Sequence, residues 1–137
     1  MLTLTIDREL QDPVYEQVAD QVRHFVSSGE LTPGATLPSV RQLARDLGVN
    51  LNTIARAYRL LESEGFLIIR DRAGVTVAEP AQEVEASTRA RLRSELRSTL
   101  ARLRQAGMAS DDRTRDALNE FLGRSRQGNE NSREGQR

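Results

Sequence analysis

Asn52, Arg56 and Arg59 stand four and three residues apart, a spacing that stacks side chains on one side of a helix. Their types are those that hold nucleic acid. A carboxamide pairs with the N6/N7 edge of adenine, and a guanidinium fork with guanine O6/N7 or a phosphate. With Ile54 at zero and about 100° per residue, the apolar centre falls near 350°, and Asn52, Arg56, Arg59 and Ser63 between about 140° and 200°. Thr53 lies on the flank. Such a face suits the major groove of a duplex.

No competing chemistry is written as clearly. His24 is the single histidine and falls beside the apolar face of its own helix, where packing or a surface position accounts for it. Asp111 and Asp112 read as helix caps, because adjacent carboxylates point apart and no further ligands cluster nearby. Without cysteine there is neither a disulfide framework nor a thiolate metal site, as in a reducing cytoplasm. No glycine-rich phosphate loop occurs, and no nucleophile has an identifiable base. The expectation is a protein that is not an enzyme and takes no cofactor or metal.

The elements that must present Asn52 follow from periodicity. Leu2, Leu4 and Ile6 alternate, as in a short strand or a loosely packed arm, with the arm favoured. Val14, Val18, Val22 and Val26 recur every four residues, so residues 13–28 form a first helix, with Asp12 before Pro13 as its cap and Gly29 as its stop. TPGATLP is a connector whose Leu37 turns inward. Ser39 caps a second helix carrying Val40, Leu43, Ala44 and Leu47, which Gly48 ends. Asn50 caps a third, where Ile54, Ala57, Tyr58 and Leu61 repeat the spacing up to Gly65. The pair is a helix-turn-helix. FLIIR and VTVAE, joined by DRAG, read as a hairpin wing, with Gly74 suited to its turn. Arg70 and Arg72 flank that turn and are candidates for minor-groove or phosphate contact, although an ordinary solvated tip would carry the same charges.

Glu79-Pro80 marks a boundary. Leu92, Leu96, Leu100 and Leu103 form a stripe on a helix over residues 82–106 that Gly107 ends, and Ser110-Asp111-Asp112 cap another bearing Leu118, Phe121 and Leu122. The sequence therefore predicts a mainly α chain with a small β wing: a winged helix-turn-helix over 1–79, a two-helix dimerisation region over 80–124 that is also where any effector would bind, and a disordered tail over 125–137. If buried, five of the leucines in these helices with Phe121 would contribute about 9–18 kcal/mol, against an association cost of about 4–15 kcal/mol. A homodimer is expected. Packing of the stripe back onto the first helix is the alternative.

Length and charge bound the rest. The 137 residues hold 20 basic and 20 acidic side chains, so the chain as a whole does not attract a polyanion. Residues 37–72 are locally basic, with six arginines against four acids, which confines any nucleic-acid surface to that region. Every basic residue is Arg. No apolar run approaches the roughly 20 residues that span a bilayer, and no leader pattern opens the sequence. The expected setting is the cytoplasm, with no membrane partner.

Residues 12–79 resemble the winged helix-turn-helix of the GntR family of bacterial transcription regulators, through PVYEQV, LTPGATLPSVRQLA, LGVNLNTIARAYRLLESEGF and GVTVAE. Asn50-Leu51-Asn52-Thr53 followed by Ala55-Arg56-Ala57-Tyr58 is similar to the YtrA subgroup, whose members have a short helical tail instead of a large effector domain. The resemblance implies DNA contact for Arg41, which matches the family's Arg in LPSxRxLA, and for Asn50, Asn52 and Thr53. Leu51 and Ala55 stand where many relatives have Arg, so their operator code does not transfer. The wing shows Arg72-Ala73-Gly74 in place of the usual Gly-x-Gly. The implied function is a homodimeric repressor on a palindromic operator in double-stranded DNA, and an effector, if one acts, would bind between the tail helices or at the domain junction. A winged-helix adaptor that recruits a protein without specific DNA binding is the alternative.

Overall fold

The computed structural model describes residues 3–71, 74–81 and 83–122. Leu2, Arg72 and the tail over 125–137 lie outside them. The elements run α1 (Val14–Ser27), β1 (Thr36–Leu37), α2 (Val40–Leu47), α3 (Leu51–Ser63), β2 (Leu67–Arg70), β3 (Gly74–Val77), α4 (Ala86–Gln105), a 3₁₀ turn (Met108–Ser110) and α5 (112–122). They form two compact units that divide between Gln82 and Glu83. No helix among the described residues is long and apolar enough to cross a membrane.

In the first unit, α1, α2 and α3 bury one stripe each. Val18 and Val22 of α1, Leu43 and Ala44 of α2, and Ile54, Ala57, Tyr58 and Leu61 of α3 meet in one core, as their periodicity requires. Val14 and Val26, at the ends of the valine row, are only half-buried. The caps are local and legible. Ser39 Oγ accepts from Gln42 N–H, Asn50 Oδ1 from Asn52 N–H, and Gly48 ends α2 in the left-handed region at φ 65°.

At α1 the expected cap is corrected. The helix begins at Val14, Pro13 is its cap residue, and no side chain caps it. The Pro13 carbonyl accepts from Glu16 and Gln17 N–H, so the boundary falls one residue later than an Asp12 cap would need. Asp12 instead offers its carbonyl to Gln17 Nε2 at 3.0 Å.

The N-terminal arm is extended but tightly docked, which corrects the expectation of loose packing. Thr5 N–H donates to Gln21 Oε1 at 2.9 Å, and Gln21 Nε2 donates back to the Thr5 carbonyl at 2.6 Å. Asp7 and Gln17 make the same reciprocal pair at 2.9 Å. Two residues of extended chain advance about 6.6–6.8 Å and four residues of helix about 6 Å. The arm's alternate peptides therefore match glutamines four apart, and each carboxamide acts as the edge of a strand. Leu4 is thereby held in the core.

The sheet is antiparallel in the order β1-β3-β2. The wing hairpin pairs Leu67 with Val77 and Arg70 with Gly74. The connector adds a strand that periodicity did not show: Thr36 pairs with Thr76 and Leu37 with Val75. Leu37 is buried, as expected. The buried Tyr58 hydroxyl donates to the Pro38 carbonyl at 2.7 Å, fixing the connector where it enters α2.

Burial raises the Tyr58 phenol well above its ordinary pKa of about 10. Above that pH an unfolded phenol loses its proton while the folded one keeps it, so stability is whole below about pH 10 and falls as pH rises, by up to about 1.4 kcal/mol per unit. Tyr58→Phe is expected to cost about 0.5–1.5 kcal/mol near neutrality and to remove this part of the alkaline loss. Urea unfolding of both proteins at about pH 8 and pH 11 checks it. An equal alkaline loss in the variant would show that the phenol is not its source.

In the second unit, α4 buries no residue. A left-handed Gly107 at φ 74° ends the turn after it. The 3₁₀ turn that follows was not expected. Asp111 then caps α5, accepting from Thr114 N–H at 3.0 Å, which places the expected cap on one residue of the Ser110-Asp111-Asp112 run.

Candidate nucleic-acid interface

The helix-turn-helix presents its polar residues from three places. Arg41, in the first turn of α2, is exposed. Asn50, just before α3, is exposed, and its oxygen accepts the cap bond at 2.8 Å, which leaves its amide donors and one lone pair of the oxygen for a ligand. Asn52 is exposed and Thr53 partly so in the first turn of α3. Arg41 belongs to the start of α2, and the other three to the cap and front of the third helix. None is needed to fill the core.

The expected grouping of Asn52 with Arg56, Arg59 and Ser63 divides in two. Arg56, Arg59 and Ser63, with Leu60, line a groove of about 370 Å³ against Tyr15 and Glu16 of α1, and Asn52 does not line it. The Arg56 guanidinium carbon sits 3.9 Å from the Tyr15 ring centroid. Arg59 Nε donates to the Ala55 carbonyl at 3.3 Å, within its own helix. A helical wheel gives directions around one axis and cannot show that a second helix lies alongside. Both arginines are nonetheless exposed.

On the wing, Arg70 is exposed and pairs across the hairpin with Gly74, whose φ is 85°. A side chain at Gly74 would meet open space, so the backbone conformation is what calls for glycine there. The wing is tied to the third helix by Glu62, whose carboxylate accepts from the edge N–H of Ile69 at 2.9 Å. Sequence reasoning missed both Glu62 and Tyr15. For Tyr15 the available signal was an aromatic ring beside the valine row in PVYEQV, with nothing to say what it touches.

α1 and α3 are bridged a second time. Arg23 Nη2 and Nε bind Glu64 Oε1 at 2.7 and 3.0 Å, while Nη1 binds Asp20. Tyr15 to Arg23 and Arg56 to Glu64 span the same number of residues, so the two helices run in the same sense, side by side.

Within the second unit, Leu92, Leu96, Leu100, Leu118, Phe121 and Leu122 are exposed large apolar side chains, and Leu103 is partly buried. An open groove of about 840 Å³ lies between α4 and α5, lined by Leu103, Met108, Ala117, Leu118 and Phe121. Among the described residues no three His, Asp or Glu side chains gather as a metal site would need.

Residues 14–77 match the model of the gntR family of bacterial regulatory proteins. The HTH-type transcriptional regulator Rv1152 of Mycobacterium tuberculosis is 44% identical over 75 residues, 55% of this chain and 62% of that one. The HTH-type transcriptional repressor YtrA of Bacillus subtilis is 37% identical over 79 residues, 58% of this chain and 61% of that one. The match thus spans about three fifths of the length of these two relatives. YtrA from Sulfolobus acidocaldarius, a solved GntR-family transcription factor, is similar with a TM-score of 0.57 and 41% identity, over 72% of this chain and 97% of that chain.

Proposed function

The chain belongs to the GntR family of bacterial regulatory proteins, in its YtrA-like subgroup, and we propose that it is a homodimeric repressor that reads a palindromic operator. The observation that carries this reading is the front of α3. Asn52 is exposed and Thr53 partly so, beside a turn in which Val49 alone is partly buried, and Arg41 is exposed on α2. In this arrangement Arg41 and Arg70 bind phosphates and set the register, while Asn52, Thr53 and Arg56 meet base edges. The module over 1–79 carries the DNA contacts and the helices over 80–124 carry the dimer. A two-fold pair places two α3 helices about 34–36 Å apart, one turn of the duplex. Repression follows from occupation of the promoter.

The dimer has support of its own. An apolar stripe left exposed along α4, together with an open groove beside it, is a surface that a second copy can fill. The repressor assignment draws on the name of the Bacillus subtilis relative.

The test is affinity across salt, measured by fluorescence anisotropy on a duplex recovered by repeated selection with the protein from a randomised pool. Specific binding weakens steeply with salt as counterions are released. Arg41→Ala is expected to weaken selected and scrambled duplexes alike and to lower the salt slope by about 1. An unchanged slope would remove Arg41 from the phosphate contacts. A protein that enriches no sequence and instead co-purifies with a stoichiometric partner would be an adaptor.

A further inference from the structure

The arginines along the seam of α1 and α3 are held differently. Arg23 is closed between Asp20 and Glu64, and Arg59 bonds back to its own helix. The Arg56 guanidinium carbon sits over the Tyr15 ring, 3.9 Å from its centroid. Among the described residues no hydrogen bond or ion pair engages its guanidinium, although Glu16 lines the same groove. The aromatic contact engages the guanidinium without a hydrogen bond, so its five N–H donors, held in a fixed fork, are not consumed by it. Tyr15 is itself half-buried and packed on the core, so the ring is a fixed platform.

We propose that Tyr15 is a specificity-determining positioning residue, which holds the Arg56 fork ready for the edge of a base. This rests on the DNA-reading function argued above. A free arginine gives up rotamer freedom worth about 2 kcal/mol when it is fixed, and that cost recurs at every binding event unless the side chain is already held. The aromatic face holds it without consuming a donor. An acidic partner would have consumed donors and opposed the negative duplex, as the Arg23 cluster illustrates. A fork that is held on a rigid element favours an acceptor pair of fixed geometry such as guanine O6/N7. A phosphate can be approached from many directions and gains less from the aim.

The test uses the full chain as wild type, Tyr15→Phe, Tyr15→Leu, Arg56→Ala and the Tyr15→Leu/Arg56→Ala pair. Each is titrated with a duplex selected by the wild type and with its scrambled counterpart at one salt concentration. Tyr15→Leu is expected to lower the ratio of the two affinities about 2–5-fold, Tyr15→Phe to keep it, and Tyr15→Leu to add nothing once Arg56 is gone. Thermal unfolding of Tyr15→Phe and Tyr15→Leu separates lost folding from lost aim. Tyr15→Leu that matches the wild type, weakens both duplexes equally, or adds its full effect to Arg56→Ala overturns the proposal. A wild type that selects no duplex removes the DNA reading itself, and this role with it, whereas selective binding indifferent to Tyr15 removes only the role.

Discussion

Replacing Leu96 and Leu100 together with Glu is expected to leave the protein monomeric and to lower its operator affinity by about a hundredfold or more. Both side chains are exposed, at 55% and 41%, and they lie four residues apart on a helix that buries nothing. α4 also carries six arginines and one glutamate over its length. Most helical stability in proteins comes from packing an amphipathic face against a partner surface, and within the described residues this helix buries no residue. Each leucine forfeits about 1.5–3 kcal/mol of burial, and each glutamate adds the cost of bringing a charge into an apolar seam. Once the copies separate, the second half-site is no longer held at high effective concentration, a loss of about 10²–10⁴ in affinity. Sedimentation and anisotropy read the two effects separately. Ser94→Glu, about 160° around the helix from Leu96, is the control and is expected to change neither. A double variant that stays dimeric would place the interface elsewhere.

What the sequence made legible divides along the range of the forces involved. Stripes and caps are decided within about five residues, so the three helices of the first unit, the Ser39 and Asn50 caps and the left-handed Gly48 could be read directly from spacing and residue type. Leu37 could be placed inward for the same reason. Its strand could not, because Thr36 and Leu37 find their partners at Thr76 and Val75, and a two-residue strand has no period to detect. The arm posed the same difficulty. Leu4 and Ile6 showed alternation, but what fixes it is a pair of glutamine side chains that local pattern reads as a polar helix surface. At the site, the wheel separated polar from apolar on α3 correctly and still grouped Asn52 with Arg56. Only the packing of α1 shows that Arg56 is turned onto Tyr15.

Asn52→Ala is expected to reduce discrimination between a selected and a scrambled duplex by about 1–3 kcal/mol, or about 5–150-fold, without weakening the fold. Its backbone N–H serves the Asn50 cap and survives the substitution, and alanine suits a helix at least as well as asparagine. The side chain touches nothing that the core needs. Because the lost carboxamide is neutral, it releases no counterion, so the salt slope stays that of the wild type. That constancy separates a base contact from a phosphate contact: Arg41→Ala lowers affinity for every duplex and flattens the slope, whereas Asn52→Ala lowers affinity for the selected duplex alone. The two measurements are independent of each other and of the dimer, since a monomeric tail variant keeps one intact reading head whose preference for a half-site can be titrated. If Asn52→Ala weakened both duplexes to the same extent, the front of α3 would be gripping backbone, and recognition would have to come from the shape of the duplex or from the wing.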